Sequence, residues 1–229
     1  MSLFSKLKQK MAETFDKSYK TEDTPEFMSR IERVTQNEKK IKIFLDNVTN
    51  FIEQSTDQVR SSKNIIEAMF VIYEGTPYDP SIRQVIEEFV QVDKEVQKME
   101  NIKNNLIKVA NIVLEKIKDL LEHQKQREDE RVYYDHYRTK LEKMQRPGGE
   151  AHSQDMEEMQ TYARNQSKFE NQKQKFEQLT LLVNDKLEKT EQKVDRVVVD
   201  LTLKFSKSVQ LNFYNKMNQA MYRLRNVES

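Results

Sequence analysis

From about Thr24 onward, apolar residues recur along the chain at alternating spacings of three and four. The first run includes Phe27, Ile31, Val34, Ile41, Leu45, Val48, Ile52, Val59, Ile66, Met69 and Tyr73. The second reads Ile82, Val85, Phe89, Val92, Val96 and Met99, then changes phase to Ile102, Leu106, Val109, Val113, Ile117 and Leu120. Its seam turns polar from Gln124 to Arg131 and resumes with Tyr134, Tyr137, Leu141 and Met144. The third run leads from Met159 through Phe169, Phe176, Val183, Leu187, Val194, Leu201, Phe205 and Val209 to Met217, Met221 and Leu224. This spacing lines one stripe of an α-helix, and held over many turns it makes a left-handed coiled-coil seam.

Two short breaks separate the runs. Gly75 to Pro80 and Arg146 to Gly149 hold all three glycines and every proline except Pro25. Glycine and proline are the strongest helix breakers, so their confinement to two points predicts long helices between them. Thr24, Pro25 and Glu26 supply a capping hydroxyl, a first-turn proline and an acid facing the positive end of the helix dipole. Helices are expected over 25–74, 81–146 and 153–226. Short connections make consecutive helices antiparallel. The expected fold is all-α: three long, kinked, antiparallel helices in a coiled-coil bundle forming one domain over 25–229. Bends are expected near 99–106 and 124–131, where the seam changes phase or turns polar. The second and third helices outlast the first, so a two-helix arm should project at the 146–152 turn. Val197-Val198-Val199, Leu201 with Leu203, and Phe213-Tyr214 place apolar groups on more than one helix face. A wide apolar arc requires more than one neighbour, which predicts a second copy of the chain and hence a homodimer.

Residues 1–20 read as a separate amphipathic segment. Leu3, Phe4, Leu7, Met11, Phe15 and Tyr19 fall within an arc of about 160° at 100° per residue, and Lys6, Lys10, Lys17 and Lys20 lie opposite. Five lysines face only two acids, Glu13 and Asp16. Phe and Leu set against Lys is the composition of a helix lying in a membrane interface.

The formal net charge is +1, so charge matters only where it clusters. Residues 125–146 carry Lys125, Arg127, Arg131, Arg138, Lys140, Lys143 and Arg146 against five acids. Residues 160–177 add Arg164, Lys168, Lys173 and Lys175 against Glu170 and Glu177. Antiparallel pairing sets these two stretches side by side. The turn between them is acidic, with Glu150, Asp155, Glu157 and Glu158. Bases near an anionic bilayer contribute about 1 kcal/mol each, which makes this arm, together with Lys6, Lys8 and Lys10, the candidate lipid-contacting surface.

Little points to catalysis. The glycines sit in turns, so no phosphate-cradling loop or nucleophile elbow is present. There is no cysteine, and His123, His136 and His152 lack metal-ligand spacing. No catalytic residue, metal, cofactor or small-molecule substrate is expected, and the bases are too interleaved with acids for a nucleic-acid surface. Without an apolar run of ~18 residues or a signal-peptide core, the expected location is cytoplasmic.

Tyr133-Tyr134-Asp135-His136-Tyr137-Arg138 with Leu141-Glu142 resembles a run late in the second helix of BAR domains. Lys168-Phe169-Glu170 through Phe176, Leu201 to Phe205, and Phe213-Tyr214 to Met217 are similar to the third helix of that family. With the amphipathic start, the chain is most similar to the N-BAR group of amphiphysins and endophilins. The resemblance implies a crescent-shaped dimer with a six-helix central bundle that binds anionic, curved phospholipid membranes. Carried over by position, Arg138, Lys140, Lys143, Arg146, Arg164 and Lys168 would be membrane-facing bases, joined by the nearby Arg127 and Arg131. Leu3, Phe4, Leu7, Met11 and Phe15 would be the inserting face. The implied role is a peripheral membrane scaffold that senses or induces curvature in remodelling, endocytosis or vesicle trafficking. The turn departs from the amphiphysin pattern, since Pro147-Gly148-Gly149 is followed by acids rather than a lysine run. The other reading of the same residues is a structural coiled-coil or tether that touches no lipid.

Overall fold

The computed structural model describes residues 9, 20–152 and 154–227. Apart from short turns and caps, these residues are helical, and no strand occurs among them. Helix α1 spans Pro25–Tyr73, α2 Asp79–Met144, α3 Met156–Phe205 and α4 Leu211–Arg225. A single 3-10 turn, Glu150–His152, follows α2, and a π-helical turn, Ser206–Gln210, joins α3 to α4.

Each boundary has a local cause. The Thr24 hydroxyl accepts a hydrogen bond from the Phe27 N–H at 3.2 Å and caps α1. Helix α2 begins two residues before the expected position, with Asp79 in its first turn. A hydrogen bond from Arg83 holds the Asp79 carboxyl below the ordinary carboxylate range. Asp155 caps α3 through the Glu157 N–H at 2.8 Å, so this helix starts at Met156 and not at 153. In the turn after α2, a Cβ on Gly149 would collide with the Met144 carbonyl oxygen, and Gly148 has φ +79°. Both glycines are therefore needed where the chain reverses.

The helices contribute to two compact units, one comprising Met1–Thr35 and Glu115–Gln192, the other Gln36–Leu114 and Lys193–Ser229. The second unit carries most of the apolar core. Ile41, Val48, Ile52, Val59 and Ile66 of α1 are buried there, as are Ile82, Val85, Phe89, Val92, Met99 and Val113 of α2. Leu201, Phe205, Val209, Phe213 and Met217 come from the third run. Phe205 meets Phe44 and Phe51 edge-on at 5.9 and 5.7 Å, and Phe51 also meets Phe213 at 6.0 Å.

Helix α2 is continuously helical through 99–106 and 124–131. A departure from α geometry occurs at Ser206–Gln210. Its cause is visible in the third run: Leu201, Phe205, Val209, Phe213 and Met217 are spaced by four throughout. Each such step drifts about 40° around an α-helix, so 16 residues would carry the stripe about 160° off its face. One π turn absorbs an extra residue and reduces the drift to about 60°. Val209, inside the turn, is fully buried.

Candidate functional site

The first unit is built on an antiparallel pairing of α2 with α3. Tyr134 stacks on Phe169 and Phe176 at 5.5 and 5.4 Å, Gln172 reaches Glu130, Arg127 reaches Thr180, and Lys186 pairs with Asp119. At the far end Gln145 donates to the Tyr162 hydroxyl at 3.0 Å. Each step along α2 toward its C-terminus is a step along α3 toward its N-terminus. Arg164 and Lys168 therefore lie level with the last turns of α2. The bond from Lys186 holds the Asp119 carboxyl below its ordinary pKa.

A buried ionic network occupies the polar stretch of the seam. Asp135 has no exposed surface. Its carboxylate accepts from the Thr21 N–H at 3.0 Å, the Thr21 hydroxyl at 2.5 Å and Arg131 at 2.5 Å, and it pairs with Arg138 at 3.2 Å. Arg131, 2% exposed, also forks onto Glu128 at 2.8 and 2.9 Å. Arg127, 5% exposed, grips both oxygens of Asp23 at 3.1 and 2.5 Å and donates to the Thr180 hydroxyl at 2.9 Å. Its guanidinium lies 4.8 Å from the Phe27 ring centre and 5.0 Å from that of Phe176. Nearby, Glu191 binds Arg30 at 2.7 Å and Arg33 at 2.5 Å. Burial pushes the Glu191 pKa up, but the two arginine hydrogen bonds outweigh it and the net displacement is downward. Arg30 is correspondingly raised, chiefly by its hydrogen bond to Glu191.

These contacts correct part of the expected surface. Arg127 and Arg131 do not face solvent; both are buried and paired with acids, since an unpaired charge there would be costly. Arg138 is half-buried over Tyr134, with its guanidinium turned toward Asp135. Lys140, Lys143, Arg146, Arg164 and Lys168 are exposed. Lys140 and Lys143 lie about 60° apart around α2, with Arg138 about 160° from Lys140 on another flank. Arg164 and Lys168, about 40° apart, share one face of α3. The exposed bases therefore gather around the α2–α3 turn without the three arginines 127, 131 and 138. Leu3, Phe4, Leu7, Met11, Phe15, Lys6, Lys8 and Lys10 lie outside the described residues.

The network itself was not expected, although a signal for it was present. Gln124, Arg127, Arg131 and Tyr134 continue the three-four spacing from Leu120, so the arginines occupy core slots. A charge in a core slot calls for an acid partner, and Thr21 and Asp23 belong to a stretch that reads as a polar linker.

The long antiparallel helices agree with what sequence comparison finds. The BAR domain family model matches residues 2–227, and the chain belongs to that family. A crystal structure of a BAR protein from Galdieria sulphuraria is similar in fold, with a TM-score of 0.57 and 18% sequence identity. The match covers 85% of this chain and 95% of that one. A search of curated proteins found no match. BAR domains are generally non-enzymatic scaffolds that typically dimerise and bind membranes. Among the described residues no helix is long and apolar enough to cross a membrane.

Proposed function

We propose that this chain acts as a homodimeric scaffold of N-BAR type on the cytoplasmic face of anionic, curved membranes. The observation that carries this reading is the cluster of exposed bases Lys140, Lys143, Arg146, Arg164 and Lys168 around one helix turn. Each contributes about 1 kcal/mol beside acidic lipid, and a dimer doubles the number. Leu3, Phe4, Leu7, Met11 and Phe15 insert among head groups, with Lys6, Lys8 and Lys10 available to lipid phosphates. Dimerisation is supported by the second unit, where Ile65, Val71, Ile72, Val199, Leu203 and Leu211 are exposed although the core beside them is closed. An apolar groove of about 300 Å³ between Ile102–Val109 and Val197–Leu201 opens in the same unit.

Co-sedimentation with phosphatidylserine vesicles of graded diameter tests the reading. The protein should pellet at low salt, most strongly at one range of diameters. Replacing Lys140 and Lys168 by Ala removes four bases from the dimer and should weaken binding about 1,000-fold, from ~1 kcal/mol per base. A chain that stays in the supernatant at every diameter would be a structural rod instead.

A further inference from the structure

Helix α3 carries a second feature on the flank that bears Arg164 and Lys168. At 100° per residue, Arg164, Lys168, Lys175, Leu179, Leu182 and Lys186 fall within a strip about 60° wide and about 33 Å long. Between Arg164 and Lys186 this strip holds no acid. Glu170 and Glu177 stand on the opposite side of the helix, and Asp185 lies about a quarter turn away. Arg164, Lys168 and Lys175 are exposed, and so is Leu182 at 38%. The strip is therefore basic toward the α2–α3 turn and partly apolar farther in.

A groove of about 430 Å³ opens where the strip meets α2, lined by Glu130, Lys175, Gln178, Leu179 and Leu182. Its two charges are opposite in sign, yet they form no ion pair with each other. The Glu130 carboxylate accepts from the Gln172 side chain through Oε2, which leaves Oε1 without a hydrogen-bond partner among the described residues. Lys175 likewise has no partner among them. These walls restrict what the groove can hold. An apolar chain would cover both charges without compensation, and a simple anion would meet the Glu130 carboxylate. A molecule with one anionic and one cationic group matches both walls, while the leucines accept an apolar end. At the surface of a bilayer, a phospholipid headgroup with a primary ammonium meets that description. Its N–H groups can donate to Oε1.

We propose that this groove binds the headgroup of an aminophospholipid, with the phosphate at Lys175, the ammonium at Glu130 Oε1 and the glycerol end against Leu179 and Leu182. The site rests on the lipid-binding reading, since Arg164 and Lys168 on the same strip are two of the bases assigned to lipid. It adds selectivity to that reading. Exposed bases sense only surface charge, whereas an acid and a base held apart across a groove distinguish headgroups of equal charge.

The test compares vesicles of phosphatidylserine and of phosphatidylglycerol, each at the same mole fraction in phosphatidylcholine. Both lipids carry one net negative charge, but only the serine headgroup has an ammonium. The protein should bind the phosphatidylserine vesicles about tenfold more tightly, as a charge-assisted hydrogen bond predicts. Glu130→Gln should bring the two affinities within about twofold. Loss of that negative charge strengthens binding to both lipids alike, so their ratio changes only if Glu130 holds the ammonium. Equal binding by the unsubstituted protein overturns the proposal while the lipid reading stands. A preference for phosphatidylserine that survives Glu130→Gln also overturns it. Failure to bind either vesicle refutes the lipid reading, and the proposal with it. The chain has no tryptophan, so an introduced one reports on a single position. Leu182→Trp should be quenched by phosphatidylserine vesicles that carry a nitroxide on a headgroup. Leu181→Trp, about 100° around the helix at a site 71% exposed, should be quenched far less. Equal quenching at the two positions, or none at 182 in protein that pellets with the vesicles, places the lipid elsewhere and overturns the proposal.

Discussion

Asp135 accepts hydrogen bonds from Thr21 and Arg131 and pairs with Arg138, with no surface left to water. Removing one partner from such a set leaves the others charged and buried, which costs far more than the set contributes over an apolar replacement. Asp135→Ala should therefore destabilise the protein by about 3–5 kcal/mol in urea unfolding, against about 1 kcal/mol for Thr21→Ala. Equal effects would mean that the carboxylate is not central. Glu191 gives a second test at this scale. Its folded pKa lies below the ordinary glutamate value, so its stabilisation is complete above about pH 4.3 and is lost as pH falls through the depressed folded value. Glu191→Gln should flatten the acid limb of the stability–pH curve and leave its shape near pH 8 unaltered. Individual residues were only partly legible in the sequence. Most apolar seam positions read directly from spacing, because burial and period are largely the same signal; Val109, Met159 and Met221 share the spacing but are exposed. Arg127 and Arg131 misled because their type suggests a surface while their spacing places them in the core, and spacing decides burial when partners such as Asp23 and Asp135 are at hand.

For the helices, the decisive feature is the π turn. Four consecutive spacings of four, from Leu201 to Met217, are incompatible with an uninterrupted α-helix facing one core. The turn Ser206–Gln210 holds the extra residue that reconciles them. Deleting the exposed Lys207 should let the segment close into a regular α-helix with Phe213, Met217 and Ala220 still facing inward. The expected loss is about 1 kcal/mol or less, a Tm shift of ~2–4 °C for a chain of this size. Deleting the equally exposed Lys189 should be far worse. With no bulge to absorb the change, the following residues rotate by about 100°, and each buried Val, Leu or Phe displaced costs ~1.5–3 kcal/mol. Similar melting of the two deletion variants would refute this account. Helix number and approximate limits were legible from the breakers and the seam. The turn was not, because its signature is a phase drift summed over 16 residues rather than any one residue type.

At the scale of the whole molecule, the proposed dimeric scaffold requires the exposed apolar residues of the second unit and the exposed bases of the first to act together in an assembly. If Val199, Leu203 and Leu211 are covered by a second copy, apparent stability must rise with protein concentration, since association draws on the folded state alone. Val199→Glu with Leu203→Glu should then give a monomer in sedimentation equilibrium and a Tm that no longer depends on concentration. That variant touches none of the bases around the α2–α3 turn, yet it should bind phosphatidylserine vesicles much more weakly than the parent. Two linked basic clusters hold a surface by effective concentration, and a single cluster of five bases does not. Salt separates the two contributions. Raising ionic strength from 0.1 to 1 M shortens the Debye length from about 10 to about 3 Å, so vesicle binding should weaken steeply, to what apolar insertion alone supports, while the dimer, held by apolar burial, persists. A double variant that is monomeric but pellets with vesicles as well as the parent would show that one copy suffices, and would detach dimerisation from membrane binding.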